Sequence, residues 1–341
     1  MKTTLSLVHT FGKDSAMQQL GMGQAVKQAL QEEMRQDSRV FVAGEGVGVS
    51  IHDSPMLPTA GLLTEFGRER VLDTPVSEAA IAGLAVGAAV LGLRPVVEIM
   101  FNPFFTLASD MIVNHAAKLR YLSGGKSTFP MVVRIKTGAG FGAGCQHSHN
   151  LEAWVAHCPG LKVVMPATPA DAKGLLKSAI RDDNPVIFIE DMMLYFAPAP
   201  VPAEEYLTPI GRAEIKRKGT HVTVVTWSKM LGVALRAAEQ LSREGIDLEI
   251  LDLRTLVPID RETLLASVAK TGRLIVLHEA TRTGGFAGEI CAVVAEEAFS
   301  SLKAPFRRVT GPDIPVPVSP PLERFYIPSE ESLIRAVREI C

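Results

Sequence analysis

The sequence is short of aromatic residues (6%), short of cysteine (four) and without an excess of either charge, and each shortage narrows what the chain can do. Lysine and arginine total 35 against 37 aspartates and glutamates, which leaves no electrostatic footprint for nucleic acid or an anionic membrane. Cys145, Cys158, Cys291 and Cys341 form neither a CxxC pair nor metal-ligand spacing, so free thiols in a reducing compartment are expected. No signal-peptide pattern opens the chain, and no uncharged run suits a membrane span. The cytoplasm is the expected compartment, with the mitochondrial matrix second. Also missing are a GxSxG nucleophile elbow and a GxGxxG turn that opens a helix, which argues against serine-hydrolase and dehydrogenase chemistry of the dinucleotide type.

What is present is a large aliphatic core. A 47% apolar fraction with so few aromatics describes layers of Ala, Val, Leu and Ile, and 341 residues suffice for two domains. Strand and helix patterns alternate along the chain, which predicts an α/β fold: two domains with mostly parallel sheets flanked by helices. An aperiodic arm covers 1–21 and an α/β domain 22–196. A proline-rich linker without strand or helix period spans 197–209, and a second α/β domain runs from 210 to 341.

One stretch organises the first domain. Asp73-Thr-Pro-Val-Ser-Glu78 reads as a turn and a helix start, with Pro75 suited to the first turn and Ser77 and Glu78 facing unpaired N–H groups. No charge follows from Ala79 to Leu93, so the helix is apolar all round and is predicted to be buried on every side. Glu78 therefore stands at the mouth of a dry helix. On these residues alone it is either a functional carboxylate or a complement to the helix dipole. From Phe101 to Tyr121 a second, largely buried helix is predicted. Beyond a predicted strand at 130–135, the loop Thr137-Gly-Ala-Gly-Phe-Gly-Ala-Gly-Cys145 delivers His147 and His149. Neither histidine has an acidic or cysteine partner at ligand spacing, which argues against a transition metal.

The chain resembles a known family in one uninterrupted order of motifs. They are Gly44-Glu45 with Val47-Gly48, Asp73-Thr-Pro-Val-Ser-Glu78, Ala82-Gly-Leu-Ala-Val-Gly87, Leu93-Arg-Pro95 and Ala117-Lys-Leu-Arg-Tyr-Leu-Ser-Gly-Gly125. Gln146-His-Ser148, Ala156-His-Cys-Pro-Gly-Leu-Lys-Val-Val164, Asp171-Ala-Lys-Gly-Leu-Leu176 and Ile180-Arg-Asp-Asp-Asn-Pro185 continue it. Leu251-Asp-Leu-Arg-Thr255, Lys270-Thr-Gly-Arg273, Thr283-Gly-Gly285 and Arg308-Val-Thr-Gly-Pro-Asp313 complete it. Together they are similar to the β subunit of the thiamine diphosphate-dependent 2-oxo acid dehydrogenases, of pyruvate, branched-chain and acetoin types, with transketolase-like domains.

That resemblance implies roles. Glu78 matches the glutamate that hydrogen-bonds the pyrimidine nitrogen of thiamine diphosphate, Phe104 the aromatic that stacks on that ring, and His147 the histidine over the reacting carbon. Glu45 matches a glutamate near the same ring, and Val76 and Met100 fall within the same cofactor pocket. Met131, Ala179, Ile180, Asp182 and Asn184 match a potassium-binding loop that braces the site. The sequence departs from the family at Gly46, where a second acidic residue is usual, at His149, where glutamine is usual, and over Ile51–Thr59. Ile99-Met-Phe101 is closer to the acetoin type.

The Gly-Asp-Gly…Asn sequence with which thiamine enzymes hold magnesium and the diphosphate is missing. The resemblance therefore implies an α subunit that supplies Mg2+ and the diphosphate site in an α2β2 heterotetramer. It also implies decarboxylation of a small 2-oxo acid and transfer of the acyl group to a lipoyl acyltransferase core. Two alternatives are a stand-alone thiamine diphosphate carboligase and, from another class, a catalytically silent structural subunit.

Overall fold

A computed structural model of the chain describes residues 16–48 and 57–341. Residues 1–15 of the expected arm and 51–56 of the atypical segment lie outside the described residues. The first half of the chain contributes β1 (Met17–Leu20), β2 (Val40–Glu45), β3 (Val71–Thr74), β4 (Arg94–Phe101), β5 (Val132–Thr137), β6 (Lys162–Val164) and β7 (Val186–Asp191). The second half contributes β8 (Ala199–Pro202), β9 (Glu214–Arg217), β10 (Val222–Thr226), β11 (Leu248–Asp252), β12 (Thr255–Val257), β13 (Leu274–Thr281) and β14 (Arg307–Gly311).

The larger sheet has the order β12-β6-β7-β5-β4-β2-β3, parallel except for β12. Its central strands are apolar runs because helices cover both faces. Val97, Ile99, Val133, Ile135, Ile187 and Ile189 belong to the core shared with the helix Glu78–Val90. Val96, Val132, Val186 and Phe188 pack on the other face with the helices Met22–Gln36 and Pro169–Arg181. The latter helix starts where Thr168 accepts the Asp171 N–H and Pro169 supplies a preset first turn.

The smaller sheet is β14-β13-β10-β11-β9, parallel apart from its edge strand β9. Two pairings tie the halves together. β1 runs antiparallel to β8, so part of the expected linker is a strand clasping the end of the expected arm. β12 leaves the second half and joins the edge of the first sheet beside β6. Neither was legible in the sequence, because four proline-rich residues and three residues of edge strand carry no periodicity.

Three further expectations change. β3 occupies Val71–Thr74, where a turn was read: its pairing with β2, and not its own pattern, makes it a strand. The expected continuous helix over 101–121 is broken into a 3-10 turn at Asn102–Phe104, an α segment Phe105–Ser109, a π segment Asp110–Ala116 and an α segment Ala117–Leu122. Pro103 removes a donor at its start, and the π turn re-aims the side chains that follow. Finally, the Glu78–Val90 helix is not buried on every side. Ile81, Ala82, Ala85 and Ala89 are buried, but Leu84, Gly87 and Val90 are exposed, and Leu91 beyond its end is 84% exposed. Nothing among the described residues covers that face. Pro75 also stands ahead of the helix, two residues before the N-cap Ser77, whose side chain makes no capping bond.

Candidate active site at the strand carboxyl ends

Six of the sequence-predicted residues issue from the carboxyl ends of neighbouring strands, the place where open α/β sheets bind ligands. Glu45 ends β2 and lies in register with Thr74, which ends β3. Four residues on, past exposed Val76, Glu78 opens its helix with 8% exposure. Met100 lies at the end of β4, and Phe104 closes the turn after it. His147 arrives from the end of β5 on the short helical turn Cys145–Ser148.

Phe104 and His147 meet edge to face with ring centroids 5.3 Å apart. Phe101 completes an aromatic trio, 4.7 Å from His147 and 6.1 Å from Phe104. His149, two residues on, is half-buried, and that burial pulls its imidazolium below the usual range.

Several buried polar atoms here have no partner among the described residues: Thr74 Oγ1 and both amide atoms of the fully buried Asn102 make no hydrogen bond there. The Glu78 carboxylate has neither an ion pair nor a hydrogen bond among the described residues. Such orphans are costly unless something else meets them, so the site suits a ligand with its own donors and acceptors. The residues fit the pyrimidine side of thiamine diphosphate in kind: a secluded carboxyl, an aromatic ring and a histidine.

The candidate metal residues lie elsewhere. Met131 precedes β5, and Ala179, Ile180, Asp182 and Asn184 precede β7, which puts them at the amino ends of the strands, the end opposite Glu78 and His147. Any bracing of the site acts through β5 and β7. The Arg94 guanidinium donates to the carbonyls of Ile180 (3.0 Å) and Asp182 (3.1 Å) and pairs with Asp183 (2.6 Å). The Met131 carbonyl accepts from the Val186 N–H, and the Asp182 carboxylate binds Lys162 and the Asn184 amide. The donor set is oxygen at a helix carboxyl end, and a monovalent positive charge already faces it.

Two buried polar groups escaped the reading of motifs. On β4, β5 and β7, Arg134 binds Glu190 through Nε at 2.7 Å and Glu98 through Nη1 at 2.8 Å. Lys136 reaches Glu98 and Tyr195 reaches Glu190. Burial pulls the guanidinium down, and the two carboxylates more than restore it. The signal for this network was present as charges of one parity inside apolar strands: Glu98, Arg134, Lys136 and Glu190.

The second group lies between the halves of the chain. Lys229 binds Asp191 (3.3 Å) and Glu279, beside a cavity of about 10 Å³, room for one water, lined in part by Asn150, Glu152 and Ser228. His278 is stacked on Trp227 with centroids 5.1 Å apart, and its Nδ1 stands 3.9 Å from Glu152. Burial, with Glu279 adding to it, pushes the Glu152 carboxyl up to about 7. Burial drives the His278 imidazolium down to about 3, with Arg308 adding to it. Nothing in the sequence alone joins residues so distant.

Known proteins are similar to this chain in both of its halves. Residues 18–197 match the family described as transketolase, pyrimidine binding domain, and residues 211–333 match transketolase, C-terminal domain. The fold and site thus define a transketolase-like thiamine diphosphate protein. The chain is 46% identical over 331 residues to pyruvate dehydrogenase E1 component subunit beta-2, mitochondrial, of Oryza sativa subsp. japonica, covering 96% of this chain and 88% of the relative. It is 43% identical over 318 residues to 2-oxoisovalerate dehydrogenase subunit beta of Bacillus subtilis (strain 168), covering 93% and 97%. The beta subunit of acetoin:2,6-dichlorophenolindophenol oxidoreductase from the same organism is 43% identical over 331 residues, covering 94% and 97%. The solved structure of a split gene transketolase, an inactive beta4 tetramer, shares the fold with a TM-score of 0.76 and 22% identity, covering 94% of this chain and 98% of that one. The chain belongs to the family of β subunits of thiamine diphosphate-dependent 2-oxo acid dehydrogenases.

Proposed function

We propose that this chain is the pyrimidine-side half of the active site of a heteromeric 2-oxo acid dehydrogenase, working with an α subunit that brings Mg2+ and the diphosphate site. The observation that carries the reading is Glu78: a buried carboxylate without a partner among the described residues, opening a helix inside a pyrimidine-binding domain. Thiamine diphosphate, when bound, supplies a thiazolium carbon that adds to the 2-oxo carbonyl and takes up the electrons released with carbon dioxide. Glu78 holds and shares a proton with the pyrimidine nitrogen. Phe104 offers that ring an apolar face, while Glu45, Val76 and Met100 close the pocket around it. His147, kept in place by Phe101 and Phe104, orients the substrate and moves a proton at its carbonyl oxygen. Ile81 and Ala82, buried in the first turn behind Glu78, keep water from the pocket's floor.

The exposed apolar surface supports a partner. Leu84 and Val90 on one helix, Leu91 just past its end, Leu107 on the segment packed against it, and Tyr121 and Leu122 on the α segment further along are exposed in the single chain. An α2β2 heterotetramer would cover this surface, and the acyl group would pass to a lipoyl acyltransferase core. Among the described residues no helix is long and apolar enough to cross a membrane, and relatives of both mitochondrial and bacterial origin leave two compartments open. Within the chain we assign residues 1–21 to an arm, 22–196 to the pyrimidine domain, 197–209 to the linker and 210–341 to the C-terminal domain.

Potassium fits the loop around Asp182 in kind. Met131, Ala179, Ile180, Asp182 and Asn184 would hold it, sharing with Arg94 the task of neutralising the carbonyls at the end of the Pro169–Arg181 helix. The stand-alone carboligase is the weaker reading, because the relatives are dehydrogenase subunits over nearly the whole chain. The decisive test is reconstitution. The purified chain with thiamine diphosphate and Mg2+ should turn over no 2-oxo acid, and activity should appear on adding an α subunit. Turnover by the chain alone would overturn the assignment.

A further inference from the structure

We propose that Glu323, in the C-terminal half, is a positioning residue for His147, a role that rests on the reading of His147 given above. The loop that delivers His147 is glycine-rich, and its Gly140 and Gly142 adopt φ of +108° and +74°, backbone that other residues rarely take. Such a loop has little conformation of its own. Its shape is imposed from the other half of the chain. Glu323 accepts the Gly140 N–H at 2.9 Å and the Gly142 N–H at 3.1 Å on each carboxylate oxygen. Glu279 accepts the Ala139 N–H at 2.6 Å, Lys229 donates to the Ala139 carbonyl at 2.6 Å, and the Val318 side chain lies against Gly144.

Glu323 itself is 4% exposed, yet no lysine, arginine or histidine pairs with it among the described residues. Its negative charge is met by the loop amides, a nest of N–H groups of the kind that binds anions. Loop and carboxylate therefore depend on each other. Without the loop the carboxylate is buried and unmet, and without the carboxylate two exposed glycines have nothing to fix them. Because a misplacement of about 1 Å at a reacting group costs on the order of 10²-fold in rate, the seat of this loop governs what His147 can do. Glu78 and Phe104 enter from other strand ends, and Phe104 meets the loop at the His147 ring.

The test uses the heterotetramer carrying Glu323→Gln, His147→Ala or both, with Glu323→Asp as the conservative variant. Glu323→Gln should lower kcat by about 10–100-fold while leaving KM and thiamine diphosphate affinity within about two-fold, and Glu323→Asp should recover part of the rate. Added to His147→Ala, Glu323→Gln should cost nothing more, as expected of residues acting as a unit. Hydrogen exchange read by mass spectrometry gives an independent measure. The 138–144 amides should be protected in the wild-type chain and should exchange faster in Glu323→Gln. Unprotected amides in the wild type, or additive rate losses in the double variant, would overturn the proposal, and the wild-type measurement holds even if a variant fails to assemble. A full rate in Glu323→Gln beside an impaired His147→Ala would overturn the seat alone. A full rate in His147→Ala would overturn the reading of His147, and this proposal with it.

Discussion

The rings of Phe104 and His147 meet edge to face at 80°, and the contact joins the turn after β4 to the glycine loop after β5. Among the described residues neither ring is held by a hydrogen bond that would fix it alone. Removing the imidazole should therefore leave the fold intact and act on the chemistry. His147→Ala in the assembled enzyme should bind cofactor normally and lose about 10²–10⁴-fold in kcat, the range for an acid–base group. His149→Gln should change kcat far less. Steady-state kinetics with a 2-oxo acid and an artificial electron acceptor measure both, and equal losses at 147 and 149 would make the pair a single unit.

Much of this site could be read in the sequence because its parts are local. Glu78, Phe104 and His147 each follow a strand, and strand ends of one parallel sheet share one side of the molecule. What escaped reading is what only the tertiary fold brings together. The carboxylate of Glu323 reaches Gly140 across most of the chain, and β12 crosses from one half to the other's sheet. The bare side of the Glu78–Val90 helix was missed for a different reason. An apolar pattern states that a face will be covered, and it does not state by which chain.

Glu78 separates two accounts by one atom. As a charge at a helix start, its change to glutamine costs about 0.3–1 kcal/mol and leaves the chemistry alone. As the partner of the pyrimidine nitrogen, glutamine keeps the shape and cannot share the proton. Glu78→Gln should assemble with a near wild-type Tm, while the thiazolium proton exchanges with deuterium orders of magnitude more slowly. Quenched-flow NMR measures that exchange, and a wild-type rate in cofactor-loaded protein would leave Glu78 as a helix-start charge.

Arg134 holds two buried carboxylates at once, Glu190 and Glu98. Removing one member of such a group leaves charge without a partner, at about 3–5 kcal/mol. Arg134→Met should destabilise the chain by that order. Replacing Arg134 and Lys136 together with Glu98 and Glu190 by apolar residues of similar volume, and Tyr195 by phenylalanine, should cost much less, since no charge or hydroxyl is then stranded. Denaturant titration of the two variants decides it, and equal losses would mean that packing, not charge, carries the effect.

Glu152 and His278 are buried side by side and respond to pH in opposite senses. The Glu152 carboxyl, moved from 4.5 to about 7, binds a proton more tightly in the folded chain than in the unfolded one. Stability is therefore lost as pH rises from about 4.5 to 7, by roughly 3 kcal/mol in all. The His278 imidazolium, moved from 6.5 to about 3, binds its proton less tightly when folded, so stability is lost as pH falls from 6.5 towards 3. Between 4.5 and 6.5 the two slopes oppose, while Asp191 and Asp252, raised by burial to about 6 and about 7, add to the Glu152 slope. Glu152→Gln removes only the first slope and keeps a side chain of the same length in the same place. The variant should gain on the wild type as pH rises, so that the difference in Tm between them grows from pH 5 to about pH 7 and then levels off. Groups common to both proteins, Asp191 and Asp252 among them, cancel in that difference to first order. Thermal melts of the two proteins across that range give the answer. A difference that stays constant with pH would mean that Glu152 is ionised in the folded chain throughout, with a cation or water meeting it in the cavity beside Ser228.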